Sequence, residues 1–159
     1  MDSNLQTIRQ ANPEDVDSLV RIINAAFGVE KFFIERDRID SETVRKMLNK
    51  GRFLLVEDDT GLAACIYLEL RGKRGYFGLL SVDPSRQKSG FGRKMVNAGE
   101  DFFRANGCRY SDMRIVNLRA ELPAFYDRLG YKVTGTEQFD GPVETLIPCH
   151  FILYSKPLF

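Results

Sequence analysis

The stretch that most constrains the fold is residues 81–92, Ser-Val-Asp-Pro-Ser-Arg-Gln-Lys-Ser-Gly-Phe-Gly, because the chain changes periodicity across it. Tyr76, Phe77, Leu79, Leu80 and Val82 form a β-rich apolar run, Asp83-Pro84-Ser85 ends it, and from Arg93 apolar residues recur as Met95, Val96, Phe102 and Phe103 at helical spacing. The order is strand, glycine loop, helix. Gly90 and Gly92 carry no Cβ, so a ligand can approach the main chain, and the free N–H groups of a first helical turn present a favourable dipole to an anion. Phosphate or pyrophosphate suits such a loop, as does a plainer use of both glycines for a tight turn and close helix packing.

Spacing narrows the ligand. The phosphate-loop pattern Gly-x-x-x-x-Gly-Lys-Ser/Thr is absent, and the third glycine of a dinucleotide fingerprint would fall on Met95. What remains is Gln87-x-x-Gly90-x-Gly92, preceded by Leu80-Ser81-Val82.

A chain of 159 residues fits one domain, 1–159, and can bury roughly two thirds of its extended surface. Its 23 basic and 22 acidic residues leave a net charge of +1, so no global field draws it to nucleic acid or to a membrane, and charged partners must be sought locally. No apolar run reaches the roughly 18 residues that span a bilayer. Residues 1–6 lack the basic and apolar regions of a signal peptide, and the expectation is a cytoplasmic protein. Cys65, Cys108 and Cys149 stand far apart beside apolar or aromatic neighbours and read as buried thiols. No metal-ligand spacing is present, and no metal is expected.

Residues 6–10 read as a short strand. Asn12-Pro13-Glu14-Asp15 opens a helix running to about Phe27, with Val16, Leu19, Val20 and Ile23 as its buried stripe. An acidic and aromatic connection over residues 28–38 precedes a second helix, capped by Asp40 or Ser41, that buries Val44, Met47 and Leu48. Strands near 53–57, 62–70 and 76–82, joined by the turn sequences 58–61 and 71–75, predict an antiparallel meander. Beyond the central helix, Ser111, Met113 and Ile115 alternate with Tyr110, Asp112 and Arg114. The helical crossover makes that strand a parallel neighbour of the one before it. A helix over about 120–129 and strands over 131–136 and 150–156 complete a mixed α/β layout, with six to seven strands flanked by about four helices.

Residues 117–131 add a second motif: an Asn closing a strand, then a helix ending in Tyr126, three residues, Gly130 and the aromatic Tyr131. With the glycine loop and the order of elements, the chain resembles the GNAT N-acetyltransferase superfamily along nearly its whole length. One departure is the spacing from Asn117 to Tyr126, nine residues where many members have seven. Pro123 lies within it and moves the helix start toward Leu122.

The resemblance implies transfer of an acetyl group from acetyl-coenzyme A to a primary amine of a small molecule or peptide, by direct attack in a ternary complex. It assigns the cosubstrate to Leu80, Ser81 and Val82, to the loop residues Gln87, Lys88, Ser89, Gly90, Phe91, Gly92 and Arg93, and to Asn117. Tyr126 becomes the acid for the leaving thiolate. Proton transfer from a phenol near pKa 10 to a thiolate near 8.5 is uphill by roughly 2 kcal/mol, so donation is expected to be concerted with departure. The fourth strand offers no carboxylate base, and Glu69 on its neighbour is the candidate, directly or through water. Glu30, Phe32, Phe33 and His150, with Asp140 in the 137–144 loop, are expected around a cationic acceptor. The alternative is a catalytically inactive acyl-coenzyme A binding or sensing module on the same fold. A homodimer through an exposed edge or residues 151–158 is a further expectation.

Overall fold

The computed structural model describes residues 7–140 and 144–159. In chain order its elements are β1 (Ile8–Gln10), α1 (Val16–Ala26), α2 (Ser41–Lys50), β2 (Arg52–Asp58), β3 (Gly61–Arg71), β4 (Arg74–Val82), α3 (Phe91–Ala105), β5 (Tyr110–Val116), α4 (Leu122–Arg128), β6 (Lys132–Gln138) and β7 (His150–Pro157). The expectations for residues 1–6 and for 141–143 lie outside the described residues.

Local chemistry sets the helix starts. Asn12 accepts from Glu14 N at 2.9 Å while Asp15 Oδ2 accepts from Asn12 N at 2.8 Å, a reciprocal cap that turns the chain through Pro13–Asp15 into α1. Asp40 Oδ1 accepts from Thr43 N at 2.8 Å and starts α2. Helix α4 begins at Leu122 with Pro123 in its first turn, where the missing N–H costs nothing.

The strands form one mixed seven-stranded sheet in the order β1-β2-β3-β4-β5-β7-β6, with the four helices against it. β2, β3 and β4 make the antiparallel meander that the turn sequences predict. One face buries Ile66, Leu68, Phe77, Met95, Val96, Phe103, Met113 and Ile115 under α3 and α4. The other buries Leu19, Ile23, Val44, Phe53, Leu55 and Tyr67 under α1 and α2.

Two irregularities position the site. β4 and β5 are parallel, but only Arg74, Gly75 and Tyr76 pair with Tyr110, Ser111 and Asp112. Beyond that register the strands separate, and β5 continues with β7 as far as Val116 opposite Phe151. The second irregularity is a bulge in β4. Cys65 pairs with Ser81 and Tyr67 with Gly78, so Ile66 alone faces Leu79 and Leu80. Leu79 takes φ 51°, a left-handed conformation unusual for a leucine. Its side chain joins the α1 face while Leu80 and Val82 turn to the α3 face.

Candidate active site

The loop after β4 presents main chain rather than side chains. Gly90 sits at φ 86° immediately before α3, with nothing within 4 Å of where a Cβ would stand. Among the described residues no side chain caps this helix. Its first backbone bond runs from Lys94 N to Gly90 O at 3.1 Å, so the amides of Phe91, Gly92 and Arg93 precede the helical ladder. A Cβ on Gly92 would come 3.2 Å from Phe125 Cζ, so this glycine lets α3 start close against α4. Ligand access and close packing, both open from the sequence, therefore fall on different glycines. Gln87, Lys88, Ser89 and Arg93 are exposed along the loop.

The loop is tied down from outside. Arg86, unremarked in the sequence, places Nε 2.5 Å and Nη2 2.7 Å from the Asp58 carboxylate and Nη1 2.9 Å from Asp83 Oδ2. Asp58 closes β2 at the turn into β3, and the Arg86 hydrogen bonds hold its carboxyl well below the usual range. Ser81 is buried, with Oγ donating to Leu79 O at 2.9 Å, so it offers the opening only backbone. Leu80 and Val82 are half-buried there.

Tyr126 projects from α4 with 4% of its surface exposed. Its ring contacts Phe77 of β4 and Tyr154 of β7, on either side of the opening, with centroids 6.1 and 6.4 Å away. Among the described residues its hydroxyl makes no hydrogen bond, yet it is not sealed from solvent. Burial raises its pKa, only partly offset by Arg119, so the phenol is protonated at neutral pH. Cys65 behaves similarly: burial pushes its thiol up to about 12, leaving no thiolate nucleophile in this part of the sheet.

Other expected site residues are already engaged. Asn117 N donates to His150 O, and its Oδ1 accepts from His150 N, both at 2.9 Å, so it clamps the β5–β7 junction rather than facing a ligand. His150 itself is exposed at the start of β7. Glu30 is buried against Arg119 Nη1 at 2.7 Å, which neutralises the charge expected to attract a cation. Phe33 is fully buried with Ile34, Val116 and Phe151, and shapes this end of the sheet by packing rather than by contact surface. Phe32 is exposed. Asp140, with Glu137, pairs with Arg114.

Glu69 is the largest departure from expectation. It is buried, accepts from Tyr67 Oη and from Arg71 Nε at 2.7 Å each, and lies 3.9 Å from Lys50 Nζ. Burial works against its ionisation, but the hydrogen bonds from Arg71 and Tyr67 prevail and its carboxyl stays below the ordinary range. A carboxylate so held is a poor proton acceptor. It also pairs with Tyr76, at the closed end of the β4–β5 opening. Among the described residues no group of three or more His, Cys, Asp or Glu is placed to hold a metal ion, and no helix is long and apolar enough to cross a membrane.

A parallel pair thus splays beside a bulged strand, with the first turn of α3 at its mouth. The acetyltransferase (GNAT) domain model matches residues 49–133, more than half of the chain, and the chain belongs to the GNAT N-acetyltransferase family. A mycothiol acetyltransferase of Clavibacter michiganensis is 27% identical over 122 residues, 75% of this chain; the chain spans 40% of that relative's length. Among solved structures, the ribosomal-protein-S18-alanine N-acetyltransferase of Escherichia coli superposes with TM-score 0.76 at 16% identity, covering 97% of this chain and 94% of that one. The protein yncA of Salmonella typhimurium, solved with its cofactor acetyl-CoA, gives 0.74 at 21% identity, over 98% and 95% of the two chains.

Proposed function

We propose that this chain moves an acetyl group from acetyl-coenzyme A to a primary amine of a small molecule or peptide, by direct attack in a ternary complex. The observation that carries the reading is the unpartnered, protonated Tyr126 hydroxyl beside the opening between β4 and β5. The residues present fit the cosubstrate. The amides of Phe91, Gly92 and Arg93 receive its pyrophosphate, with Lys88 and Arg93 as nearby cations. Leu80 and Val82, whose edge is not paired with β5, receive the pantetheine arm as an added strand. Acetyl-coenzyme A supplies the thioester carbon that the amine attacks. A backbone amide at the Leu79 bulge would donate to the thioester oxygen as charge develops, Tyr126 would pass its proton to the departing sulfur, and the proton shed by the acylated nitrogen would restore the phenol through solvent.

With Glu69 held as a hydrogen-bonded carboxylate, the amine enters already neutral. An amine of pKa about 10 is roughly 0.3% neutral at pH 7.5, and that fraction rises about tenfold per pH unit. The rate at low acceptor concentration therefore climbs about tenfold per unit between pH 7 and 9. The same engaged Glu69 favours a second reading, a module that binds acyl-coenzyme A without turnover. Calorimetry with acetyl-coenzyme A, coenzyme A and ATP, followed by thiol release against a panel of amines and peptides, decides. Acetyl-coenzyme A binding with thiol release is the expected result. Binding without release from any amine favours the second reading, and binding of ATP alone defeats both.

A further inference from the structure

On the α1 face of the sheet, a cleft of about 460 Å³ runs across β4, β5 and β7. Three arginines, Arg71, Arg74 and Arg114, and three carboxylates, Asp112, Glu137 and Asp140, line it, so its chemistry depends on which of them remain available. Arg74 commits Nε and Nη2 to Asp112 at 2.6 and 2.9 Å. Arg114 directs Nη1 to Glu137 at 2.6 Å and Nη2 to Asp140 at 3.4 Å. These two arginines engage all three carboxylates.

Arg71 differs. Only its Nε is engaged, with Glu69 beneath the cleft, and among the described residues its two Nη groups make no hydrogen bond. Glu69 is itself fixed by Tyr67, and the guanidinium lies 4.0 Å from the centroid of the Tyr76 ring. The fork is therefore held in place from below and from the side while its outer donors stay unused, the arrangement that binds a carboxylate bidentately. Tyr76 extends from it toward the bulge: a Cβ on Gly78 would come 3.3 Å from the Tyr76 hydroxyl, so Gly78 lets the ring lie along β4. Like Arg71, that hydroxyl has no partner among the described residues.

We propose that Arg71, oriented by Glu69 and Tyr67 and stacked on Tyr76, binds a carboxylate on the amine acceptor. The inference rests on the placement of the thioester at the Leu79 bulge. Tyr76 precedes the bulged Leu79 by three residues, about 10 Å of strand, so the acceptor separates its carboxylate from its nitrogen by several bonds. Dipeptides and ω-amino acids meet that requirement and α-amino acids do not. The cleft favours a singly charged carboxylate over phosphate, whose additional charge would face Asp112 and Asp140.

The test compares glycylglycine and 6-aminohexanoate with their carboxamides. In the wild-type protein the free acids give kcat/KM about tenfold or more above the amides, and glycine gains no such advantage over glycinamide. In Arg71→Ala the acid-to-amide ratio falls toward one, and Glu69→Gln lowers it in the same direction. Unchanged thermal melting and coenzyme A affinity establish that both variants fold. Calorimetry of the same ligands on the coenzyme A complex reads the ratio without turnover. Acid-selective binding without thiol release supports this site and defeats acetyl transfer. Turnover of acids and amides alike, or a ratio untouched by Arg71→Ala, overturns the site and leaves acetyl transfer standing. Neither binding nor turnover overturns both.

Discussion

Replacing Tyr126 with Phe isolates one hydroxyl from the ring that carries it. The ring contacts Phe125 at 4.9 Å, Tyr131 at 6.0 Å, Phe77 at 6.1 Å and Tyr154 at 6.4 Å between centroids, and all four contacts survive the substitution. No hydrogen bond is lost, because the hydroxyl has none among the described residues. That hydroxyl reaches solvent, so its removal shifts stability by no more than about 0.5 kcal/mol, roughly 1–2 °C for a chain of this size. Thiol release falls by an order of magnitude or more, a positioned acid contributing about 10²–10⁴-fold, with near-normal acetyl-coenzyme A affinity. Tyr131→Phe is the internal control in the same aromatic cluster. Its hydroxyl lies 2.7 Å from Glu100 Oε2, to which it donates, and 2.7 Å from Ser111 Oγ. Removing it leaves the buried Glu100 with fewer partners and costs about 1–3 kcal/mol. Differential scanning calorimetry and a coupled thiol assay on both variants settle the matter. Undiminished turnover in Tyr126→Phe would refute the acid assignment, and a melting-point loss matching that of Tyr131→Phe would refute the unpartnered hydroxyl.

Gly90→Ala forces an alanine toward φ 86°, a conformation costing roughly 1–2 kcal/mol outside glycine, so coenzyme A affinity drops about 5- to 30-fold by calorimetry. Asp58→Ala releases Arg86 from two of its hydrogen bonds and speeds amide exchange in residues 83–90, as read by mass spectrometry. Because Arg86 holds the Asp58 carboxyl below its unfolded value, the tie is fully present above about pH 4 and is lost as the pH falls further. At the other extreme, burial raises the pKa of Tyr67, Tyr126, Tyr131 and Tyr154. A neutral phenol kept from ionising stabilises the fold fully below about pH 10, the unfolded value, and that contribution drains away as the pH rises. Circular dichroism melts should therefore weaken steeply above pH 10, and less so in Tyr126→Phe.

The architecture was legible wherever chemistry is local. The turn sequences at 58–61 and 71–75 dictate hairpins, Asn12 and Asp40 dictate helix starts, and the alternation of Ser111, Met113 and Ile115 dictates a strand with one buried face. The β4 bulge left only a faint trace. Alternation breaks where Leu79 and Leu80 stand together, but no glycine marks the left-handed residue, and packing against Ile66 and the α1 face decides which leucine turns. Residues joined only in space were not recoverable. Glu30 meets Arg119 across 89 positions, and Asn117 meets His150 across 33. Each changed meaning once its partner was known.

Tyr67, Glu69 and Arg71 alternate along one strand, so their side chains fall on one face without any tertiary information. A tyrosine donor and an arginine two residues to either side of a carboxylate can only lower its basicity. That alternation argues on sequence alone against a basic Glu69. A carboxylate whose lone pairs are taken by its own strand orients the groups that take them. Here one of those groups, Arg71, still has two donors to give, and the cleft above it is where they are available. In the proposed site, the hydrogen bonds that keep Glu69 from acting as a base are the same ones that orient Arg71 toward a carboxylate.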